Sequence, residues 1–462
     1  MHLPNYFLAD LPPEADLSPA MVEAACEALK QNRAKYLATR STADLIATLC
    51  EVAQEWLRPT GVFRQLALQS GPEQTGFSQA VLARGIDDFF RRFTPEAFNE
   101  LIRLELGEAI PVGDLSRLGW GKARGIEGSD SATTVKRFWR GPEFQVHIAA
   151  GNLPNPAWMS LVLGLFTRSA QFMKCARGGA FLPRLLAHSI YHFDPKLGAC
   201  LEIAEWRGGR HELEHILFHH ADCVTATGSD ETLAAIRKEL PARVRFLGYG
   251  QQVSFGLVTR EQLREETLSE VVQAAADAVI AWDQNGCLSP QVIYVEERGQ
   301  VESDQFAAKL AAELAQREVA EPRGLVPVAA AGAIASLRAT YEAIAVHRGD
   351  VKLWASAQST AWTVIFEHEV RFRFSPLNRC IFIKPVPDLE AVLQGIDELR
   401  GRVSTAGVAA GPERMAELAG RLAAWGVTRI CPLAKMQNPS LTWRHDGRPA
   451  LGDLVHWTDL ET

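Results

Sequence analysis

The clearest candidate for covalent chemistry is Cys287, in a polar stretch (residues 283–290) that reads Asp-Gln-Asn-Gly-Cys-Leu-Ser-Pro. A β-branched, strand-like run, residues 291–295, follows directly. A glycine-containing turn before a strand predicts a thiol at the mouth of a cleft. Because a thiolate is strongly nucleophilic, this cysteine could accept an acyl group from a carbonyl or thioester carbon. An isolated cysteine is more often a small buried hydrophobic residue, so the surrounding chain must decide between the two.

Two strand–turn–helix segments carry further candidates. Asn152 follows a strand-like run and lies in a Gly/Pro turn that opens a helix. Its amide could donate to a developing oxyanion, or it could be an ordinary turn residue. In residues 222–232, Gly228 permits close backbone approach and Ser229 begins a helix whose free N–H groups favour an anion. The same pattern also fits a simple capped helix after a strand.

Two other patterns resemble ligand-binding motifs but fit them poorly. Residues 119–125 approach the Gly-x-Gly-x-x-Gly dinucleotide motif, but the last glycine is one residue too far and no strand precedes it, which predicts a glycine-rich loop. Residues 211–215 match His-Glu-x-x-His, so His211 and His215 could bind zinc with Glu212 as the general base. Because Gly208 and Gly209 lie just upstream, a solvated, charged helix that begins at the motif is favoured.

Composition limits the class of protein. The 462 residues are 47% hydrophobic and 22% charged, as expected for a globular protein of two or three domains. A net charge of −7 without a long Lys/Arg run argues against nucleic acid as a partner. Eight scattered cysteines without C-x-x-C spacing favour a reducing cytosol. The N-terminus lacks the build of a signal peptide, and no apolar stretch could span a bilayer, so a cytoplasmic protein is expected.

Hydrophobic periodicity predicts the elements that must position these residues. The first hundred or so residues look helical, with periodic segments at about 18–39, 42–58, 77–92 and 95–107. A Gly/Ser-rich stretch from about 113 to 131 predicts a loop or linker. From about 134, short apolar runs alternate with helical segments, which predicts parallel βαβ units covered on both faces. The predicted strands are residues 144–149, 172–174, 223–227, 244–247, 253–258, 291–295, 351–355, 361–366, 380–386 and 427–431. The predicted helices are near residues 156–167, 183–192, 211–219, 230–240, 262–281, 303–317 and 331–346. Two α/β domains joined near residue 250 are expected. The predicted bounds are a helical N-terminal region at 1–110, a nucleotide-binding domain at 134–250, a thiol domain at 251–430 and a tail at 431–462.

Taken in order, the motifs resemble the acyl-CoA reductase (LuxC) family of the aldehyde dehydrogenase superfamily. The resemblance is good from about 140 to 300 and looser up to residues 426–430. It implies an α/β, aldehyde dehydrogenase-like fold with a tail that acts as an oligomerisation arm. The matching segments are residues 151–154 (Gly-Asn-Leu-Pro), 206–209 (Trp-Arg-Gly-Gly), 228–231 (Gly-Ser-Asp-Glu), 249–256 (Tyr-Gly-Gln-Gln-Val-Ser-Phe-Gly) and 283–291.

The resemblance also implies residue roles. Cys287 is the acyl-accepting nucleophile, and Asn152 falls at the oxyanion-hole asparagine. Lys174 falls at the lysine that contacts the adenosine ribose. Arg177 stands where NAD-preferring members tend to carry a glutamate; a guanidinium favours a 2′-phosphate, so NADPH is expected. The remaining cofactor-binding residues are Gly208, Gly209, Thr227, Gly228 and Ser229.

Two departures from the superfamily pattern bear on the reaction. Hydrolytic members place a glutamate before the turn that corresponds to Tyr249-Gly250, where it activates water. Here that position holds Gly248, so an acyl-cysteine should survive until it meets a thiol or a hydride. The superfamily's Glu-x-Phe-Gly-Pro motif is present only as Phe-Arg-Phe-Ser-Pro at residues 372–376, without the glutamate. The nicotinamide-side contacts therefore stay open.

The predicted function is NADPH-dependent reduction of a medium- or long-chain acyl-CoA or acyl-protein thioester to an aldehyde through acyl-Cys287. The alternatives are a CoA-acylating aldehyde dehydrogenase that oxidises a short aldehyde with NAD, a zinc hydrolase that uses His211, Glu212 and His215, and a non-catalytic subunit that holds an acylated partner. By resemblance, an acyl-protein synthetase partner and a homo-oligomer are expected. Acyl chain length stays open.

Overall fold

The computed structural model describes residues 3–12, 14–107, 110–111 and 135–461. The predicted loop at 113–131, with its glycine-rich residues 119–125, lies outside them. Within the described ranges, no helix has both the length and the apolar character needed to cross a bilayer.

Five helices form the N-terminal region. In four of them a serine or threonine precedes the first turn and its side chain accepts the N–H three residues on, so short polar side chains fix where these helices begin. The sequence reading missed α3, whose apolar residues are weakly periodic and which contains Pro72. The helices are α1 Pro19–Asn32, α2 Thr42–Leu57, α3 Val62–Thr75, α4 Gln79–Phe90 and α5 Pro95–Leu106.

A five-stranded parallel sheet follows, in the order β5-β4-β3-β6-β7, with helices in the connections between strands. The predicted alternation of strands and helices is observed here, although β5 was missed. Lys174 lies near the carboxyl end of β4, and the carboxyl ends of β3 and β6 lead into the loops that hold Asn152 and Gly228. Its elements are β3 Phe144–Ala149, α6 Asn155–Phe166, β4 Ala170–Cys175, α7 Phe181–Phe193, α8 Pro195–Gly198, β5 Leu201–Glu205, α9 His211–His220, β6 Cys223–Thr227, α10 Asp230–Glu239 and β7 Arg245–Tyr249.

A seven-stranded sheet carries the cysteine turn. Its order is β10-β11-β12-β9-β8-β13-β14, and every neighbouring pair is parallel except β10 with β11. The turn with Cys287 joins α11 to β9, near the middle of this sheet. Its elements are β8 Val253–Val258, α11 Glu265–Ile280, β9 Pro290–Glu296, α12 Ser303–Ala320, α13 Val328–His347, β10 Lys352–Ala355, β11 Thr363–Phe366, β12 Cys380–Val386, α14 Leu389–Gly395, β13 Val403–Ala409, α15 Pro412–Trp425 and β14 Arg429–Pro432.

A small third sheet ties the end of the chain to the middle. The tail strand β15, His456–Glu461, pairs antiparallel with β2, Val135–Arg140, and β1, Ile110–Pro111, pairs with the other edge of β2. The predicted use of this tail in oligomerisation stays a prediction.

The N-terminal helices pack on both the five-stranded unit and the cysteine turn. Trp56 of α2 stacks on Phe90 of α4 with ring centroids 5.0 Å apart, and both rings contact the buried Trp158 of α6. On α4, a Cβ at Gly85 would lie 2.1 Å from Cζ2 of Trp282. Glycine is therefore required where α4 crosses the cysteine turn, so the helical region braces the site directly.

Candidate active site

The turn before Cys287 has an unusual backbone. Trp282, Asp283 and Gln284 have φ angles of 51°, 50° and 65°, a left-handed region that residues other than glycine rarely adopt. The three residues lie between α11 and β9 and place Asn285, Gly286 and Cys287 just before the amino end of β9, the central strand of the sheet. Backbone strain of this kind persists only where the surrounding structure holds it in place.

Two buried side chains of the turn provide that support. Asp283 accepts Arg379 Nε at 2.8 Å and the Gly324 N–H at 3.0 Å. The Gln284 amide donates to the carbonyls of Pro290 and Cys380 at 2.8 and 2.9 Å, and its oxygen accepts the Cys380 N–H at 2.8 Å. Asp283, Gln284 and Arg379 are each at most 3% exposed. Sequence reasoning noted the Asp-Gln pair as part of a motif and missed Arg379, whose partner lies 96 residues away in the chain.

The structure brings Asn152 and Cys287 to the same place. Asn152 Nδ2 donates to the carbonyl of Asn285 at 3.1 Å. A Cβ on Gly286 would lie 2.9 Å from Leu153 Cδ1, so the loop after β3 rests directly on the cysteine turn. The two turns adjoin strands of different sheets, so the predicted amide donor lies against the turn that carries the predicted nucleophile.

Cys287 is half-buried at the start of β9. Its carbonyl accepts Ser254 Oγ of β8 at 2.6 Å, which ties the backbone of the cysteine turn to β8. Burial, with the nearby Asp446 carboxylate, raises the pKa of the Cys287 thiol to about 12, while the N–H groups of Cys287 and Leu288 and the Arg429 guanidinium lower it. At neutral pH the resting group is a thiol.

The predicted cofactor residues lie at the carboxyl ends of the five-stranded sheet. Lys174, in β4, is 6% exposed, and its Nζ has no hydrogen-bond partner within the described ranges. Nζ lies 6.0 Å from the centre of the Trp206 ring, and a Cβ on Gly208 would lie 3.9 Å from it. Burial lowers the pKa of this ammonium, and Glu214 opposes the shift. A buried, unpartnered ammonium beside a glycine fits the hydroxyl or phosphate groups of a nucleotide.

Arg177 lies in the loop after β4 and is exposed. Glu205, at the end of β5, orders this loop: it accepts the Gly178 N–H at 2.7 Å and the Ala180 N–H at 3.2 Å. Gly178 has a φ of 78°, so the loop needs glycine there. Sequence reasoning missed Glu205, although it directly precedes the Trp-Arg-Gly-Gly segment that was singled out.

The segment from Thr227 to Ser229 forms a tight connection between β6 and α10. The Gly228 N–H donates to the Tyr249 carbonyl at 3.2 Å, which ties the connection to β7. Ser229 caps α10 by accepting the Thr232 N–H at 3.3 Å. The predicted strand, turn and helix are all present. Gly208 and Gly209 are exposed and lie in the loop between β5 and α9.

The zinc-hydrolase motif does not converge as that hypothesis requires. Glu212 is paired with Arg210, whose Nε lies 2.8 Å from its carboxylate. His211 and His215 instead lie beside Glu239, and His215 Nε2 is 2.8 Å from the Glu239 carboxylate. All three of these side chains are exposed. The geometry therefore gives no support to Glu212 as a general base between two zinc-bound histidines.

The C-terminal segment covers part of the site, which the sequence did not predict. The His445 ring stacks on Tyr249 with centroids 4.6 Å apart and an angle of 8° between the planes. Arg448 lies over the same Tyr249 ring at 5.5 Å and donates to the Gly248 carbonyl at 3.4 Å. Gly248, the position at which the sequence lacks a water-activating glutamate, therefore contacts Arg448, and its neighbour Tyr249 packs against both His445 and Arg448.

A cleft opens beside Asn152, between the end of α3, the loop after β3 and the start of α7. Its walls are largely apolar or glycine, and Phe77 also contacts Trp282 of the cysteine turn with ring centroids 5.2 Å apart. The lining residues include Gln74, Thr75, Phe77, Leu153, Phe181 and Leu182.

Comparison with known proteins adds a family match. The model of a family described as acyl-CoA reductase (LuxC) matches residues 37–457. The chain is 24% identical over 259 residues to the long-chain acyl-protein thioester reductase of Vibrio harveyi, covering 55% of this chain and 51% of the relative. Identity to the protein of the same name from Aliivibrio fischeri is 22% over 323 residues, covering 68% and 63%. The chain thus spans between half and two-thirds of the length of these relatives.

Solved structures share the fold at low sequence identity. A salicylaldehyde dehydrogenase from Pseudomonas putida G7 superposes with a TM-score of 0.70 at 14% identity, over 97% of this chain and 91% of that one. A NAD-dependent benzaldehyde dehydrogenase from Corynebacterium glutamicum gives a TM-score of 0.68 at 13% identity, with the same coverage. The predicted aldehyde dehydrogenase-like α/β fold with a helical N-terminal region is confirmed.

Proposed function

Because the chain belongs to the acyl-CoA reductase (LuxC) family, as its motifs predicted, we propose that it reduces an acyl thioester to an aldehyde through an acyl-Cys287 intermediate, with NADPH as reductant. The observation that carries the proposal is the meeting of Asn152 with the turn of Cys287. An amide donor held against the turn of a nucleophilic cysteine supports acyl transfer, in which such a donor stabilises the oxyanion.

The chain's own groups account for the acyl-transfer step. Cys287 Sγ attacks the thioester carbon, and the Asn152 amide and the Cys287 N–H donate to the oxyanion that forms. The tetrahedral intermediate then expels the donor's thiol and leaves the acyl group on Cys287. Because Gly248 supplies no base, water is not activated against this acyl group.

The residues at the end of the five-stranded sheet fit a nicotinamide dinucleotide. Lys174 would contact the adenosine ribose, and Arg177 would pair with a 2′-phosphate, which a carboxylate at that position would repel. Gly208, Gly209, Thr227, Gly228 and Ser229 would let the backbone approach the ribose and the pyrophosphate. When bound, the cofactor supplies the hydride that converts the acyl group to an aldehyde.

A long acyl chain is the favoured substrate. The names of the relatives specify long-chain acyl-protein thioesters. An exposed route to Asn152 also suits a carrier-bound acyl group.

Intact-protein mass spectrometry tests the proposal. The protein is incubated with medium-chain and long-chain acyl-CoA, without and then with NADPH, and Cys287→Ala is treated in parallel. We expect an acyl adduct on the wild-type chain that disappears with NADPH as aldehyde accumulates, and no adduct on the variant.

If acyl-CoA leaves no adduct, acyl-protein donors of the same chain lengths are supplied. No adduct from either class of donor would contradict the proposed function. An adduct that persists with both NADPH and NADH would contradict the reductive step.

A further inference from the structure

The two histidines of the His-Glu-x-x-His motif come together with a glutamate that the motif does not contain. His211 and His215 lie one turn apart on α9, with ring centroids 6.0 Å apart. Glu239 is the last residue of α10, 24 residues after His215. One ligand atom from each of these three side chains lies within 4.8 Å of the other two. Two imidazoles and one carboxylate therefore converge from two helices.

The distances between these side chains suit a shared metal ion. Zinc binds histidine nitrogen and carboxylate oxygen at about 2.0–2.2 Å, so two ligand atoms at a tetrahedral centre lie about 3.3 Å apart. His215 Nε2 lies 2.8 Å from the Glu239 carboxylate, and no pair of ligand atoms in the cluster exceeds 4.8 Å. The His215 and Glu239 side chains are 62% and 35% exposed, so both have room to rotate. Small rotations would bring the three ligands to metal-binding distances.

The charges around the cluster leave its carboxylate available as a ligand. Arg210, which directly precedes the motif, pairs with Glu212 at 2.8 Å and with Asp16 at 3.0 Å. The pKa of Glu239 is lowered, chiefly by its hydrogen bond to His215. Glu239 is therefore ionised at neutral pH, which is the form that binds a metal. A metal ion would take the place of the proton that lies between His215 and Glu239.

A second cluster of potential ligands shows the contrasting case, in which a cation is already present. His220 meets Glu23 and Glu27 of α1. The Lys30 ammonium lies 2.7 Å from His220 Nδ1, and Nε2 lies 2.9 Å from Glu23, so both ring nitrogens have partners. Among the described residues, no ammonium or guanidinium lies within hydrogen-bond distance of the motif histidines or of Glu239. The cluster on α9 and α10 thus lacks the cation that completes the other one.

We propose that His211, His215 and Glu239 form a binding site for a divalent transition-metal ion such as zinc, which ties α9 to α10. Imidazole nitrogen suits zinc, copper and nickel, whereas magnesium and calcium prefer sites built from oxygen ligands. Three protein ligands leave the fourth position to water. Because Glu212 is paired with Arg210, it is not placed as a general base, and the ion clamps two helices without hydrolytic chemistry.

The clamp would act on segments that lead to the predicted cofactor residues. Helix α9 begins two residues after Gly209, whose N–H donates at 3.2 Å to Glu214 in the first turn of that helix. Helix α10 begins directly after Ser229. A metal ion between the helices would therefore restrain the Gly209 loop relative to the Ser229 cap. The metal site itself does not depend on the proposed function.

Calorimetric titration of the full chain with ZnCl₂ tests the site, using protein without a polyhistidine tag from which metal has been removed with EDTA. We expect His215→Asn and Glu239→Gln to weaken zinc binding by roughly 100-fold or more, since loss of an outer-shell partner alone costs about 10–100-fold. Both side chains are exposed, so neither substitution should disturb folding. The control is His219→Asn, an exposed histidine of α9 outside the cluster, which should leave the affinity unchanged.

Amide hydrogen exchange shows where the ion binds. Zinc should slow exchange in residues 211–220 and 230–239 of the wild-type chain and should not do so in Glu239→Gln. The proposal would be overturned if no zinc binds, if both variants bind zinc as tightly as the wild type, or if exchange slows only around Cys287. Equal displacement of zinc by MgCl₂ would overturn the assigned class of ion.

Discussion

The two halves of the site are built in opposite ways. Around the cysteine turn, three consecutive left-handed residues are fixed by buried hydrogen bonds from Arg379, Gly324 and Cys380. At the end of the five-stranded sheet, Arg177, Gly208 and Gly209 are exposed, and Lys174 Nζ lacks a hydrogen-bond partner within the described residues. The polar groups of the cysteine turn are therefore satisfied by the protein itself, whereas those at the end of the five-stranded sheet, here called the open end, are left for a ligand.

The difference follows from what each half must do. Covalent attack needs the sulfur held within a fraction of an ångström of its productive position, which a rigid, over-determined turn provides. A dinucleotide brings its own phosphates and hydroxyls, so its site can consist of glycines, a helix N-terminus and a few cations. Substitutions should accordingly have large effects at the turn and small effects at the open end.

The largest effect is expected when the sulfur of Cys287 is removed by substitution. Cys287→Ala should abolish reduction and acyl adduct formation, because it removes the sulfur that accepts the acyl group. Cys50→Ala is the matched control, since Cys50 is also a partly exposed free cysteine but lies in α2. Steady-state aldehyde formation is the measurement; residual turnover above about 1% of wild type in Cys287→Ala would refute the covalent mechanism.

Breaking the support of the turn comes next. Arg379→Met leaves the Asp283 carboxylate buried without its partner and should destabilise the protein by about 3–5 kcal/mol. Arg177→Met at the open end should change the free energy of unfolding by at most about 0.5 kcal/mol. Denaturant unfolding compares the two; equal effects would mean that the turn is not held as tightly as its contacts indicate.

Whether a feature of the site could be predicted from the sequence depended on how far apart in the chain its contacting residues lie. The Asn152 and Cys287 turns were found because each has its own local signal, a Gly/Pro or Gly-containing turn beside a β-branched strand. The meeting of the two, and the support from Arg379, were not readable, because these contacts join segments that are far apart in the chain.

The fold, like the site, could be predicted only in part from the sequence. Most strands of the five-stranded sheet were predicted, whereas β13 was missed although it lies inside the seven-stranded sheet. Its residues, Val403–Ala409, are small and buried on both faces, so they lack the alternation that marks a strand. Helix α15 was missed despite Pro412 at its first turn and a left-handed Gly426 after its last, which are signals that could have found it.

A smaller effect is expected at the oxyanion donor. Asn152→Ala should lower turnover by roughly 10²–10³-fold, as the loss of one oxyanion donor does in other enzymes. The rate of Cys287 alkylation should stay within a few-fold of wild type, because the thiol is untouched. Asn155→Ala, three residues on at the start of α6, is the control. A loss of turnover accompanied by an equal loss of alkylation would indicate a displaced turn, not a lost donor.

The smallest effect is expected for a substitution at the predicted cofactor-binding residues, at the end of the five-stranded sheet. Arg177→Ala should weaken NADPH binding about tenfold or more, the worth of one hydrogen bond to a charged group, and leave NADH binding nearly unchanged. The reason is that the exposed guanidinium has a partner only when a 2′-phosphate is present. Fluorescence titration with both cofactors measures the two dissociation constants, with Arg237→Ala on the exposed face of α10 as the control. If the binding of both cofactors is weakened equally, Arg177 contacts a group that NADPH and NADH share. If the binding of neither is weakened, Arg177 does not contact the cofactor.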